Sequence, residues 1–358
     1  MSILNRRDFL LRAAGLASLP FLGATSKLFA EDKPGAPPPV ERKNLITAEQ
    51  MAATKKGLDW LQKHQAPQGS FGSGVQVAVT ALAGCAFMAE GHLPGRGKHG
   101  VAIQKALDYI LKCSKNSRRG YITEMGGEQS RMHGHGFAAM FLGEAYGMMS
   151  VSRSEDAEKM KTAIKKAVDV IEKSQTNLGG WGYQPEPTYD EGSVTVAEVM
   201  ALRSCRNAGF KVEKKTIDKG MEYLKKSANP DGSFKYSLQG GGGGGTFPLT
   251  AGAVASMQLF GLYDAPQVKK GLEFLKKSRV QRQGGWGHYY YGNLYATMAA
   301  YFTGGQTWEE WFPQVREEFI KAQTSDGAWS GEYDQAYATS FAVLTLAIPY
   351  QYLPIFQA

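Results

Sequence analysis

Two adjacent acids, Asp190 and Glu191, are the residues of this sequence most suited to acid–base chemistry. They lie between a polar loop and an apolar stretch that begins near Ser193. A carboxyl group at the start of an apolar helix is a candidate general acid or base, because burial and neighbouring charges tune its pKa. We therefore predict Asp190 and Glu191 as catalytic residues. We also expect both to be exposed, so that their neutral variants cost under about 0.5 kcal/mol of stability.

Other polar and aromatic residues stand at similar places, close to the start of apolar stretches. The residues that we predict to contact a ligand are Glu128, Arg131, His133, His135, Trp181, Ser193, His288, Tyr291 and Asp334. Side chains two apart on a helix diverge, so His133 and His135 do not by themselves make a metal site. No third ligand has the spacing of a zinc motif, so the sequence predicts neither a metal nor another cofactor. Trp181 has a second interpretation, as a packed brace of its turn.

A repeated pattern predicts the elements that must position these residues. An apolar residue, an acid and an apolar or aromatic pair recur along the chain, with the acids at Asp59, Asp108, Asp169, Glu222, Glu273 and, more weakly, Glu318. A glycine-containing turn and an apolar stretch rich in small residues follow each copy. These stretches are residues 75–90, 134–149, 193–208, 247–261, 293–303 and 336–347. Six helical hairpins without a strand signal predict an all-α architecture, with charged helices outside and apolar helices inside.

The turns carry a Q-x3-G-x-W motif. Gln175–Trp181 and Gln323–Trp329 match it fully, Gln65–Phe71 matches with a final phenylalanine, and Gln281–Trp286 is one residue short. On these motifs the chain resembles the superfamily of squalene and terpene cyclases and protein prenyltransferases. It resembles most closely the exported squalene-cyclase-repeat proteins of planctomycete-type bacteria, including the ending Ile348–Pro354. The resemblance implies an α6/α6 toroid, a single domain of six hairpins with an inner and an outer ring of helices.

In such a ring the candidate residues meet. Every turn from an outer to an inner helix lies on the same rim, so the N-termini of the inner helices converge around a central cavity. These N-termini present unpaired N–H groups and the positive ends of helix dipoles. A mostly apolar pocket with a few convergent polar groups is the default position for a ligand site.

The residues that give the superfamily its activities are not all present. When the D-x-D-D-T segment of squalene cyclases is aligned on Thr195, Ser193 stands where the proton donor belongs, and serine cannot protonate an alkene. An adjacent acid could replace it only if the loop turns that acid inward. The stretches that match the zinc ligands of protein prenyltransferases, 292–295 and 334–337, contain neither cysteine nor histidine. The resemblance therefore implies altered or absent cyclase chemistry, and prenyl transfer is not expected.

The start of the chain resembles a targeting segment. Residues 5–11, NRRDFLL, closely match a twin-arginine export signal. We therefore predict a signal peptide over residues 1–30, a proline-rich linker over 31–46 and the toroid over 47–358. The expected location is periplasmic or otherwise outside the cytoplasm. No later stretch is long and apolar enough to span a bilayer. The net charge of +8 includes lysines spread over the outer helices, so no nucleic-acid partner is predicted.

Three functions fit these observations. The first is binding of an isoprenoid or other apolar ligand in the central cavity, with a terpene-cyclase-like activity if the protein is an enzyme. The second is a scaffold for protein partners, whose identity the sequence leaves open, with the cavity filled by the chain's own side chains. The third is an envelope polysaccharide lyase or hydrolase, which would need paired carboxylates about 5–10 Å apart in an open groove.

Overall fold

Alternating helices form two concentric layers. The computed structural model describes residues 44–117, 119–124, 130–149, 155–241, 244–279 and 287–357. The outer helices in these ranges are α1 (Ala48–Lys63), α3 (Gly100–Cys113), α5 (Glu155–Ser174), α7 (Lys214–Ser227), α9 (Pro266–Lys277) and α11 (Gly305–Ala322). The inner helices are α2 (Gln76–Ala89), α4 (Arg131–Met148), α6 (Gly192–Asn207), α8 (Phe247–Leu259), α10 (Tyr289–Thr303) and α12 (Gln335–Ala347). The predicted all-α toroid of six hairpins is confirmed.

The division into layers follows from composition. α7 buries one stripe, including Ile217, Tyr223 and Leu224, and exposes lysines on its other side. α2, in contrast, is buried on every side from Val77 to Ala89. An amphipathic helix lies on the surface, whereas a helix that is apolar all round must be covered on all sides.

The inner helices close into a barrel. Each packs on the next one in the chain, and α12 returns to pack on α2. Small residues permit the closest approach, between α4 and α6. A Cβ atom on Gly136 would lie 3.0 Å from the backbone of Ala197, and one on Gly143 would lie 3.0 Å from the backbone of Ser204 and Cys205. The N-termini of the inner helices therefore share one rim, as the ring geometry predicts.

In the turn motifs that the structure describes, the glutamine ties neighbouring outer helices together. Gln175 Nε2 donates to Gly179 O within its own turn and to Thr216 O at the start of α7, both at 2.9 Å. Gln323 Nε2 makes the equivalent bond to Ala53 O of α1, also 2.9 Å long, which joins the last hairpin to the first. The turn lies so close to the next helix that only glycine fits. Gly179 has φ 100°, and a Cβ there would be 2.2 Å from Lys219 O.

The tryptophan of the motif braces the same turn. Trp181 is fully buried, and its indole Nε1 donates to Ile171 O at 2.7 Å. Its backbone N–H donates to Thr195 Oγ1 of α6 at 3.1 Å. Trp329 repeats the arrangement with Phe319 O and Thr339. Trp181 therefore packs as the brace of its turn, which is the second of its two predicted roles. It exposes no surface at the rim with which to contact a ligand, as its first predicted role requires.

The end of the barrel opposite the rim is closed by the last residues of the chain. Residues 351–357 follow α12 and the short 3₁₀ helix Ile348–Tyr350, and Leu353, Ile355 and Phe356 are buried. Together with inner-helix side chains they enclose an apolar cavity of about 20 Å³. Within the described ranges, no helix has the length and apolar character needed to cross a membrane. The predicted signal peptide and most of the predicted linker lie outside those ranges.

Candidate functional site

Asp190 is a cross-link between hairpins. It is fully buried, and its carboxylate accepts bonds from Tyr223 Oη at 2.7 Å, Leu238 N at 2.7 Å and Gln239 N at 3.1 Å. These three donors come from the following hairpin and use both oxygens. The expectation that Asp190 is exposed was wrong, because the loop turns it toward the neighbouring chain segment.

Asp334 has a similar role where the ring closes. It caps α12 by accepting from Tyr337 N at 2.8 Å, and it accepts from Ser73 N of the first hairpin at 3.1 Å. Glu124 makes the equivalent connection by accepting from Val77 N at the start of α2 at 2.9 Å. These rim acids join adjacent hairpins and have no carboxylate oxygen reserved for a ligand. Glu128 lies outside the described residues.

His135 belongs to the turn of the second hairpin. Its Nδ1 accepts from Ile122 N at 3.0 Å, and its Nε2 lies 3.2 Å from Ala167 O, which fixes the neutral Nε2–H tautomer. Burial lowers the pKa of this histidine to about 4. In four other hairpins a threonine stands at the equivalent position, and its hydroxyl accepts the hydrogen bond from the backbone N–H of the turn. These residues are Thr80, Thr195, Thr250 and Thr339. Both ring nitrogens are bonded to backbone, so His135 offers none to a ligand.

Glu191 differs from the other rim acids. It is 1% exposed and is the N-cap of α6, where its Oε2 accepts from Val194 N at 2.8 Å and from Ser193 Oγ at 2.7 Å. Its Oε1 is buried and has no hydrogen-bond partner among the described residues. Burial raises the pKa of Glu191, although the bonds to Oε2 oppose that shift. Most buried polar atoms in folded proteins have a partner, so an unpartnered carboxylate oxygen at the start of an inner helix is a candidate ligand contact. The expectation that Glu191 is exposed was also wrong.

His133 and Ser193 extend this site. His133 Nε2 lies 2.8 Å from Ser193 Oγ and 4.0 Å from Glu191 Oε2. Serine therefore sits between histidine and acid, whereas in a serine-hydrolase triad the histidine occupies the middle. Burial, together with the charges of His288 and Arg131, lowers the pKa of His133 to about 4. The histidine is neutral at pH 7, and the order of the three groups does not activate Ser193 as a nucleophile.

The opposite side of the rim carries an ion pair and an exposed aromatic ring. His288 Nδ1 lies 3.1 Å from Glu332 Oε2, and Glu332 Oε1 accepts from His288 N at 2.6 Å. The His288 ring stacks beside Tyr333, with 6.3 Å between the ring centroids. Tyr333 is 64% exposed. His288 is the N-cap of α10 and therefore lies on the same rim as His133 and Glu191, which stand at the starts of α4 and α6.

Tyrosines complete this group of rim residues. The hydroxyls of Tyr183 and Tyr236 are hydrogen-bonded to each other, and the Arg131 guanidinium lies 5.0 Å from the centre of the Tyr183 ring. Tyr291 Oη is buried and has no partner among the described residues. Burial, then the neighbouring Tyr295 and Glu191, raise the pKa of Tyr291 well above its ordinary value. We call this group the cup; it consists of Arg131, His133, Tyr183, Glu191, Ser193, Tyr236, His288, Tyr291, Glu332 and Tyr333.

Sequence reasoning missed Tyr183 and Tyr236 as members of the cup. Both are uncharged and lie in loops whose course depends on the next hairpin. A usable signal was their spacing after the turn motif, since Tyr183 is two residues beyond Trp181 and Tyr236 two residues beyond Phe234. The floor of the cup is aromatic as well. Phe341 packs between Tyr291 and Tyr337, with ring centroids 6.1 and 4.7 Å away.

Backbone strain is concentrated at the cup. In the described ranges the non-glycine residues with a left-handed φ are Arg131 at 52°, His288 at 59°, Tyr333 at 62° and Gln351 at 56°. The first three belong to the cup, and each lies at or next to the start of an inner helix. Such conformations cost about 1–3 kcal/mol each and persist where the surroundings enforce them, as at ligand sites.

The residues of this rim do not fit the zinc of protein prenyltransferases. At the matching positions Asn293 Nδ2 donates to Tyr289 O, and Asp334 is used in capping and in ring closure. Across the described ranges, no three histidine, cysteine or acidic side chains are grouped as metal ligands. The cup can instead hold hydroxyl groups, which both donate and accept hydrogen bonds, against the faces of tyrosine and histidine rings.

Comparison with solved structures finds the same fold in carbohydrate enzymes. An inactive variant of the α-1,6-mannanase GH76A of Salegentibacter sp. HEL1_6, in complex with α-1,6-mannotetrose, matches with a TM-score of 0.64 at 10% identity, over 85% of this chain and 99% of that chain. A glycosidase variant in complex with glucose matches with a TM-score of 0.57 at 13% identity, over 87% and 100%. At these identities the likeness shows the fold alone.

Similarity to terpene cyclases is weaker in three dimensions. The type II terpene cyclase MstE from Scytonema matches with a TM-score of 0.38 at 14% identity, over 86% of this chain and 100% of that chain. No curated protein sequence matches the chain. The family model of the prenyltransferase alpha-alpha toroid domain matches residues 44–130 and 101–293, which is more than half of the chain. The chain therefore belongs to the prenyltransferase α/α-toroid family.

Proposed function

We propose that the protein binds a carbohydrate in the cup. The observation that carries this proposal is a pair of buried polar atoms, Glu191 Oε1 and Tyr291 Oη, that have no partner in the described part of the chain. A sugar hydroxyl can donate to a carboxylate and accept from a phenol, so one ligand class satisfies both atoms. Leaving either atom unpaired costs about 1–3 kcal/mol, which a bound ligand would recover.

The walls of the cup support the same ligand class. Tyr333 and His288 are largely exposed rings beside the ion pair of His288 with Glu332. Such rings offer an apolar face to the C–H side of a sugar and a polar edge to its hydroxyls. Three strained residues hold these groups in place, which is the preorganisation that favours binding.

The barrel below the cup gives little room to an isoprenoid. The apolar cavity at its base is about 20 Å³. Pockets for organic ligands of ordinary size are about 300–1,000 Å³. The apolar lining of that cavity still favours an apolar ligand as the second candidate, but only after rearrangement of the barrel. The third candidate is a scaffold without a ligand, which requires a barrel filled by the chain's own side chains.

Two solved structures with this fold are carbohydrate enzymes, and their complexes contain α-1,6-mannotetrose and glucose. They support the proposal by showing that an α/α toroid accommodates sugars. Hydrolysis is therefore included in the proposal as an activity to be tested. One observation favours it: burial raises the pKa of Glu191, which moves this acid toward the pKa that a general acid needs near neutral pH.

Export to the periplasm belongs to the same proposal, since envelope polysaccharides are outside the cytoplasm. It rests on the twin-arginine pattern at residues 5–11. Replacing Arg6 and Arg7 together by lysine should leave the precursor uncleaved in the cytoplasm, as measured by fractionation and intact mass. Periplasmic protein from this double variant would contradict twin-arginine export and leave the cup unaffected.

The proposed function is tested with immobilised glycans. The array should contain oligosaccharides of bacterial envelopes and α-1,6-mannotetrose, and released reducing ends should be measured in parallel. We expect wild-type protein to bind at least one glycan and Glu191→Gln to bind it at least about tenfold less, because a hydrogen bond to a charged group contributes about 1.5–3 kcal/mol. Glu222→Gln is the matched control, since Glu222 is an exposed acid of α7. Equal binding by both variants, or binding of isoprenoid lipids in place of glycans, would overturn the proposal.

A further inference from the structure

The end of the chain closes the barrel at the side opposite the cup. Residues 351–357, which we call the plug, cross the base beneath α4 and α6 and bury Leu353, Ile355 and Phe356. These side chains complete an apolar cavity whose other walls come from inner helices, including Leu82, Cys85 and Met200. The barrel helices supply an apolar pocket, and the plug fills it.

The barrel itself is complete without the plug. The inner helices contact one another around the whole ring, and α12 reaches α2 before the plug begins. The bond of Gln323 to Ala53 O closes the outer layer independently. Removal of the plug therefore leaves every contact between neighbouring hairpins in place.

The plug is held mainly by its own hydrogen bonds and by apolar contact. Phe356 N donates to Leu353 O at 3.0 Å, and Gln357 Nε2 donates to Gln351 O at 2.8 Å, both within the plug. A bond to the barrel joins Ile355 N to Glu144 Oε2 at 3.2 Å. Apolar side-chain contact therefore supplies most of the attachment of the plug to the barrel, and local opening of a single segment can be measured separately from global unfolding.

A hinge precedes the plug. Gln351 has φ 56°, a left-handed conformation in a non-glycine residue, directly after the 3₁₀ helix Ile348–Tyr350. Pro349 and Pro354 stiffen the chain on either side of it. Rotation at one strained residue between two rigid stretches would move the plug without disturbing α12.

We propose that residues 351–357 are a displaceable plug, and that its release opens an apolar pocket at the base of a barrel that stays folded. This proposal is separate from carbohydrate binding, because the pocket beneath the plug lies at the opposite end of the barrel from the cup. The reactivity of Cys85 shows whether the plug is docked or released, since this thiol lines the cavity and is fully buried when the plug is docked. Cys113 is buried on the outer helix α3, outside the lining of this cavity, and serves as an internal control.

The test is thiol labelling with N-ethylmaleimide under native conditions, read by peptide mass spectrometry. A chain that ends at Tyr350 should label at Cys85 at least about tenfold faster than wild type, with Cys113 unchanged. Addition of a synthetic peptide of residues 351–357 should slow Cys85 again. Equal acceleration at Cys85 and Cys113 would mean that the chain has unfolded, and no acceleration would mean that no pocket opens; either result overturns the proposal.

A full-length variant keeps the test decisive if the truncated chain is unstable. Phe356→Ala removes the largest apolar contact of the plug and leaves the hinge and the barrel intact. It should accelerate labelling of Cys85 selectively. In wild-type protein the amide of Ile355 should exchange with solvent faster than the amides of α2 and α6. Exchange of Ile355 at the same rate as those helices, together with uniform labelling of Phe356→Ala, would show that the segment is part of the cooperative core.

Discussion

The turns and the cup lie on the same rim but treat their polar groups differently. In the turns, Gln175, Trp181 and Asp190 satisfy their donors and acceptors with backbone of the same or the next hairpin. In the cup, Glu191 Oε1 and Tyr291 Oη are buried without a partner in the described part of the chain. The turns also place left-handed φ angles on glycine, whereas the cup imposes them on Arg131, His288 and Tyr333.

This difference separates stability from function. The polar groups of Gln175, Trp181 and Asp190 form hydrogen bonds that hold a turn together or join one hairpin to the next. Cup residues are unpaired and strained, and those features lower stability unless a ligand compensates for them. A mutation in the turns should therefore lower the free energy of unfolding, whereas a mutation in the cup should mainly weaken ligand binding.

The largest expected effect is in the turns. Trp181→Ala removes a fully buried indole and its bond to Ile171 O, and should lower the free energy of unfolding by about 3–5 kcal/mol. Urea denaturation followed by circular dichroism measures the change. A loss below about 1 kcal/mol would mean that Trp181 is not a packed brace, and the contrast between turns and cup would fail at its best-defined residue.

Glu198 tests whether an unpaired acid by itself marks a ligand site. It lies on α6 away from the cup, is fully buried, and has no partner for either oxygen in the described ranges. Burial raises its pKa well above the ordinary value, so the folded state favours the protonated acid. Its stabilising effect is complete below the unfolded pKa and is lost as pH rises toward the folded pKa.

Replacing Glu198 by glutamine removes this pH dependence. The variant should gain stability over wild type above about pH 4.5, by about 1.4 kcal/mol per pH unit, until the folded pKa is passed. Thermal unfolding between pH 4 and pH 8 measures the difference. Glycan binding should not change. A variant that loses stability at neutral pH, or that loses binding, would place Glu198 in a functional network instead.

Asp190 provides a comparison with its neighbour Glu191. Asp190→Asn keeps the shape but places an NH₂ group against donors from Tyr223, Leu238 or Gln239. Hydrogen bonds to a charged group contribute about 1.5–3 kcal/mol, so we expect a loss of about 2 kcal/mol. Chemical denaturation at pH 7 is the measurement. An unchanged stability would restore the sequence-based expectation that Asp190 is an exposed rim residue.

The layers and the turns could be predicted from the sequence because they depend on local patterns. The Q-x3-G-x-W motif specifies a turn that closes on its own backbone, and apolar periodicity specifies which helix is covered. The predicted starts of the inner helices differ from the observed ones by at most four residues, at Tyr289 of α10.

The cup could not be predicted in the same way because it depends on contacts between hairpins. Asp190 and Glu191 are adjacent and chemically alike, and the loop at residues 238–239 decides which of them is saturated. His135 could have been assigned to the turn by alignment with Thr195 and Thr250, its equivalents in other hairpins. The filling of the barrel depends on Phe356 and its neighbours, which return from the far end of the chain.

The most direct test of the account is a titration of Glu191→Gln with the strongest glycan from the array, beside wild type. Val194 N can still bond to the amide oxygen, and Oε1 has no partner to lose among the residues that the structure describes. We predict that the free energy of unfolding falls by no more than about 1 kcal/mol, as is typical of a weakened helix cap, while binding weakens at least about tenfold. Full binding, or a loss of binding accompanied by a loss of stability of about 2 kcal/mol, would contradict the assignment of Glu191 to a ligand site.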